Sequence, residues 1–410
     1  MKITPSAAAV LAIAAGCGHA PNAGQAAVTP HLELVVEIDV ARELVQADAV
    51  LTAPRSAWAE GWVINAALAV TQAQDGLAPV PGPQGGLQLL RRDSDGDPDE
   101  MLTARFSYQG VLSRDVMAFP LDRISQDAVE LSANSMWLPV HASFSEGYSV
   151  AAEITGLPAD WTLIAPGDVV QVDEGTWRIH RRTPDLDLAL FAAPDYACRE
   201  AGALTFCAHD LDVPQLAILS RHGSASLALF EGLFGPPEIA ETRIALVDRD
   251  LSGGYARIGY MVMDLETSDT ERHLAGYVSH EFAHSWFSAP IGSPDDHWLI
   301  ESPAEYAAWR YMETAFGPDV RAEMEALARA RMAGSGPLSG AGRASHAALY
   351  NKGPIFLADL EARVGRDALD AVLRATLSGQ VMSTERFLTA VSDIASPDEA
   401  EWARSRIFEE

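Results

Sequence analysis

The chain is decided by two neighbouring stretches: His280-Glu281-Phe282-Ala283-His284-Ser285-Trp286-Phe287 and Trp298-Leu299-Ile300-Glu301-Ser302-Pro303-Ala304-Glu305-Tyr306. The first lies in a helical pattern over 270–286. Residues four apart on a helix stand one above the other. The imidazoles of His280 and His284 therefore reach one ion at about 2.0–2.1 Å. Glu281 projects beside that face, where it can take a proton from a metal-activated water. By composition, the expected number of His-Glu-x-x-His pentapeptides is on the order of 0.02, so coincidence is a weak explanation. A catalytic zinc needs a third protein ligand and an open position. A glycine three residues after His284 and a histidine six after it would make one class of site, but Phe287 and Pro290 stand there. The second stretch instead offers two carboxylates, Glu301 and Glu305.

These segments resemble the aminopeptidase-N family of gluzincin peptidases. Its zinc helix reads H-E-x-x-H-x-W-F and its third-ligand segment reads W-L-N-E-G-x-A-x-Y. The resemblance implies Glu301 as the third ligand, one Zn2+ per chain and peptide-bond hydrolysis with Glu281 as general base. Residues 285–300 separate His284 from Glu301, a spacing about two residues shorter than the family's, and a loop absorbs that at little cost. Tyr350-Asn351-Lys352-Gly353 matches the family's tyrosine followed by x-K-G, which implies that Tyr350 stabilises the oxyanion. Lys352 and Lys2 are the only lysines in the chain, and an ammonium at this motif is not freely replaced by a guanidinium. Glu305 has two readings. It orients a ligand histidine from one helical turn beyond Glu301, or Ser302-Pro303-Ala304-Glu305 is a capping box that starts a helix after Glu301.

One segment departs from the family. Where G-x-M-E-N is expected, the chain has Gly253-Gly254-Tyr255-Ala256-Arg257. The family's glutamate there holds the substrate's α-amine, and Ala256 cannot. Gly253, Gly254 and Tyr255 remain candidates for the substrate backbone, and Arg257 for a substrate carboxylate. Exopeptidase and endopeptidase action both stay open. So do two other readings: a non-catalytic surface lipoprotein that reuses the fold for binding, and a zinc hydrolase of another substrate class.

The remaining chain sets the context. A net charge of −28 over 410 residues repels phosphate backbones and speaks against a nucleic-acid partner. Met1-Lys2, the apolar run Ala7–Ala15 and the small residues before Cys17 resemble a bacterial lipoprotein signal. The expectation is an exported protein of the bacterial envelope, lipid-anchored to the membrane through Cys17. Cys198 and Cys207, an even pair in an oxidising compartment, predict a disulfide.

Alternating runs such as His31–Ile38 predict strands up to about residue 193. Helical periodicity takes over from about Asp210, with helices over 216–234, 270–286, 303–332, 344–363, 366–378 and 384–394. Ser268-Asp269-Thr270-Glu271 offers a capping box for the zinc helix. Asp93–Glu100 has the alternating carboxylates of a calcium loop but lacks its glycine and final glutamate, so a solvated hairpin turn is expected. The predicted division is a signal peptide over 1–16, a tether over 17–30, a β-rich domain over 31–200 and a catalytic domain over 201–410. The fold class is α+β, and the resemblance implies that its second part is a thermolysin-like, mostly helical zinc peptidase domain.

Overall fold

A computed structural model describes residues 29–409 apart from 75, 83–84, 93–94, 114–115, 117–120, 250, 252, 267–268, 289, 341–343 and 380. The signal segment, Cys17 and nearly all of the tether lie outside the described residues. The chain divides into two compact units, one up to Ala197 and one from Asp210 onward, with the stretch between divided among them.

The first unit is β-rich. A seven-stranded sheet runs in the order Asp168–Asp173, Thr176–Asp185, Tyr148–Thr155, His31–Asp39, Leu44–Pro54, Met101–Val111 and Ala69–Ala73. His31–Asp39 shows why these residues form a strand: every second side chain is buried, from Leu32 to Ile38, the period a one-sided sheet demands. It pairs antiparallel with Leu44–Pro54 and parallel with Tyr148–Thr155. Two four-stranded sheets complete the unit. Its core includes Trp58, Trp62, Trp137, Tyr108 and Tyr148, all essentially inaccessible. Within the β-rich unit lie the short helix α1 (Arg55–Glu60) and the strands Trp62–Asn65 and Ala69–Ala73. In the acidic stretch near residue 97, the Asp97 carboxylate accepts from the Asp99 amide at 3.1 Å and Glu100 pairs with Arg55, as a charged turn requires.

The second unit is mostly helical and is entered through a five-stranded sheet. The order is Ala197–Ala201, Leu204–Ala208, Thr242–Val247, Tyr260–Asp264 and Gly254–Arg257. Cys198 and Cys207 are joined in a disulfide between the first two strands. The edge strand Gly254–Arg257 runs antiparallel to Tyr260–Asp264. The described α-helices of this unit are α2 (Pro214–Phe234), which lies between the second and third of these strands in sequence order, and α3 (Glu271–Ala283), α4 (Trp298–Phe316), α5 (Pro318–Arg331), α6 (Gly353–Val364), α7 (Arg366–Leu377), α8 (Thr384–Ile394) and α9 (Pro397–Phe408). A single helix over 303–332 is not what forms. The chain breaks at Gly317-Pro318, where Gly317 adopts φ +96°, a conformation that costs glycine little and ends α4.

Candidate active site

Helix α3 supplies two of the candidate ligands. Its N-cap is Thr270, whose side chain accepts from the His273 amide at 3.2 Å; Ser268 lies outside the described residues. Leu274, Val278 and Phe282 pack the helix into the core. His280 and Glu281 are also buried, at 7% and 3% exposure. The regular helix ends at Ala283, but His284 keeps right-handed backbone angles of −67° and −8°. It therefore stays on the His280 face, with the ring centroids 5.0 Å apart and nearly perpendicular.

Helix α4 supplies the third. It begins at Trp298 and carries Pro303 in its interior. Glu301 thus already sits on the helix, and the capping-box reading of Ser302–Glu305 does not apply. The Glu301 carboxylate lies 3.5 Å from His280 Nε2 and 3.7 Å from His284 Nε2. The three ligand atoms lie within 4.8 Å of one another. Atoms on a tetrahedron about 2.0–2.1 Å from its centre are about 3.4 Å apart, so these separations fit a zinc ion.

The outer nitrogens are committed elsewhere. His280 Nδ1 lies 2.9 Å from Glu305 Oε2, and Glu305 Oε1 accepts from Trp309 Nε1 at 2.9 Å. His284 Nδ1 is 2.9 Å from the Phe287 carbonyl. Both acceptors require a proton on Nδ1, so Nε2 is the nitrogen that each ring presents toward Glu301. Among the described residues, no hydrogen-bond partner meets His280 Nε2 or Glu281 Oε2, although both are buried. Orphaned polar atoms of this kind are costly unless a ligand meets them. The donor set and its orphans fit a bound dication.

The electrostatics agree. Burial pushes the Glu281 carboxyl up to about 7; Glu301 adds to this, while His280, Arg257 and Arg249 oppose it. Burial would also raise Glu301, but His284 and His280 hold it well below the usual carboxylate range. Burial lowers His284. Burial acts the same way on His280, yet Glu301 and Glu305 outweigh it and hold that ring well above its ordinary value. A dication held between these groups would draw the carboxylates down.

Tyr350 stands over the cluster. Its hydroxyl donates to Glu301 Oε2 at 2.6 Å, and its ring centroid lies 5.6 Å from that of His280. Burial raises the phenol well above its ordinary value, and Glu301 adds to this, so it is a donor at neutral pH. The His346 ring stacks on Tyr350 at 4.4 Å. Sequence reading overlooked it, although its spacing of four from Tyr350 was a usable signal.

Among the substrate candidates, Gly254 lies against α3. A Cβ there would stand 2.2 Å from Tyr277 Oη, so only glycine lets this strand approach so closely. Tyr255 is buried beneath the Arg257 guanidinium, 5.3 Å from the ring centroid. Arg257 also donates to Ala256 O at 2.8 Å. Gly253 offers its carbonyl to Arg249 at 2.6 Å, a cation that sequence reading also overlooked. Lys352 sends its ammonium to the carbonyls of Gly336 and Glu409 rather than to the histidine–carboxylate cluster.

No protein-family model matches the sequence. No curated protein matches it either. Solved structures do. An M1 zinc metallopeptidase from Deinococcus radiodurans superposes with a TM-score of 0.72 at 21% identity, covering 92% of this chain and 93% of its own. A variant of that enzyme bound to a Tyr-Ser-Ala substrate matches equally well. Native yeast LTA4 hydrolase superposes with a TM-score of 0.73 at 16% identity, covering 92% of this chain and 66% of its own. The chain therefore has the fold of the M1 zinc metallopeptidases.

Proposed function

We propose that the chain is a zinc-dependent metallopeptidase of the gluzincin family, with a thermolysin-like catalytic unit. His280, His284 and Glu301 would hold one zinc ion. The observation that carries this reading is their convergence beside the buried Glu281, whose Oε2 meets no hydrogen-bond partner among the described residues. When bound there, zinc supplies a Lewis acid that activates water and polarises the scissile carbonyl. Glu281 takes the proton from the attacking water and delivers it to the leaving amine, as a general base and then a general acid. Tyr350 turns its hydroxyl from Glu301 to the developing oxyanion. Glu305 keeps His280 in the tautomer that presents Nε2, and the Phe287 carbonyl does the same for His284. The test is cleavage of a peptide panel with free and blocked N-termini, with and without a chelator.

The same reading predicts poor activity on simple aminoacyl reporters. A carboxylate that pairs with a substrate α-ammonium contributes about 1.5–3 kcal/mol, or roughly ten- to 150-fold in kcat/KM. Ala256 cannot supply that contact. Glu271 does not replace it, because its carboxylate is held by Arg221 and by His222 Nε2, the latter at 3.0 Å. Arg257, by contrast, favours a carboxylate on the substrate. N-blocked or longer peptides should therefore be cleaved better than aminoacyl reporters. Efficient release of single residues from free N-termini, with blocked peptides left intact, would overturn this.

We further propose that the protein is exported and lipid-anchored through Cys17. The apolar run and the small residues before that cysteine motivate this. Labelled fatty acid should enter the wild type and not Cys17→Ser; equal labelling of both, or none in either, would contradict it.

A further inference from the structure

The turn that carries Tyr350 is anchored from outside the metal cluster. Ala348–Lys352 is wound as a π-helix, a rare form found mostly as single turns and frequently at functional sites. One anchor is Ser302 on α4, whose hydroxyl donates to Leu349 O at 2.8 Å. A Cβ on Gly353 would stand 1.9 Å from that hydroxyl, so the approach requires glycine just after the turn. The second anchor is Lys352 itself. Its ammonium donates to Gly336 O at 2.8 Å and to Glu409 O at 2.5 Å, and the residue is only 9% exposed.

These acceptors come from distant segments that also bond to each other: the Leu338 amide donates to Ile407 O at 2.8 Å. Ser345 ties Ser335 to the turn as well. Ser345 Oγ donates to Ser335 O at 2.6 Å and accepts from the Ala348 amide at 3.1 Å. A buried ammonium must recover its lost hydration from such carbonyls. Its three donors spread over a tetrahedral range that a planar guanidinium does not reproduce. This accounts for a lysine at 352 in a chain that otherwise uses arginine rather than lysine at every position past Lys2.

We propose that Lys352 is a positioning residue for Tyr350. By tying the end of the π turn to the 336–338 segment and to the end of α9, it holds the Tyr350 hydroxyl against Glu301. The inference rests on the reading of Tyr350 as the oxyanion donor, and a double-mutant cycle separates the two. Tyr350→Phe should lower kcat by roughly ten- to a thousandfold, the scale of losing one oxyanion donor. Lys352→Met should lower kcat by about tenfold or more with KM within about twofold, the mark of an interaction used in the transition state. In the Tyr350→Phe background, Lys352→Met should cause no further loss. Lys352→Arg should not restore the rate.

Hydrogen exchange on the metal-free protein gives a readout independent of cleavage. In Lys352→Met, amides of 335–340 and 348–353 should exchange about tenfold faster or more, with α3 unchanged. If the methionine variant fails to fold, Lys352→Gln keeps two N–H donors without the charge and should show a smaller loss of the same kind. Full multiplication of the two effects in the double variant, or exchange unchanged in the turn, would overturn the proposal. Tyr350→Phe at the wild-type rate with Lys352→Met impaired would overturn both the tyrosine's role and the linkage.

Discussion

Glu281→Gln is expected to abolish peptide hydrolysis while zinc stays bound. The glutamine amide is nearly isosteric with the carboxylate but cannot accept the proton of the attacking water. General-base catalysis contributes about 10²–10⁴-fold, which sets the expected loss in kcat. The site gives the reason the effect should be large. Glu281 is 3% exposed and, among the described residues, no hydrogen-bond partner meets its Oε2, so bulk water does not readily substitute for it. Burial pushes its carboxyl up to about 7, toward the range where a group both takes and returns a proton at neutral pH. Zinc should remain because Glu281 is not among the ligand atoms, and the bonds that orient the histidines come from Glu305 and Phe287. The check is kcat on an N-blocked peptide alongside zinc content. Wild-type turnover in the variant, or turnover lost together with zinc, would remove the role assigned to Glu281.

The second large effect concerns the metal. A His280→Ala, His284→Ala double variant should lose stoichiometric zinc and all zinc-dependent cleavage. Glu301 would then be the only ligand left, and a single carboxylate does not make a tetrahedral zinc site. The variant should also melt at a lower temperature. Glu301 is 2% exposed, and its charge would keep the Tyr350 hydroxyl but lose both imidazoles. Removing one partner of a buried charged pair costs about 3–5 kcal/mol. Metal analysis and a thermal melt on the same sample separate loss of zinc from loss of fold. Zinc retained undiminished in a folded double variant would place the metal elsewhere.

The candidate zinc helix was legible in sequence because its information is local: the i, i+4 spacing of His280 and His284 is set by the helix itself. The part played by Glu305 was not. Ser302-Pro303-Ala304-Glu305 satisfies a helix-start pattern as well as a mid-helix one. In the structure the helical turn starts earlier, at Pro294–His297, and α4 continues it from Trp298, whose indole donates to the distant Thr384 Oγ1 at 2.9 Å. The role of Lys352 was hidden for the same reason, since its acceptors at 336 and 409 are distant in the chain.

Other misses were errors of reading rather than of information. Ser396-Pro397-Asp398-Glu399 carries both a cap and a proline at the first helical position, and Ser396 does cap α9, yet that helix was not anticipated. In the β-rich unit, alternation located His31–Asp39, whereas its parallel pairing with Tyr148–Thr155 depends on residues more than a hundred positions away.

The most direct test of the account is cleavage of N-blocked peptides by wild-type protein, measured before chelation, after chelation and after zinc is returned. Cleavage should disappear with the chelator and return as one equivalent of zinc per chain is added. Cleavage indifferent to the chelator, or a folded, zinc-replete protein that hydrolyses no peptide in the panel, would contradict it.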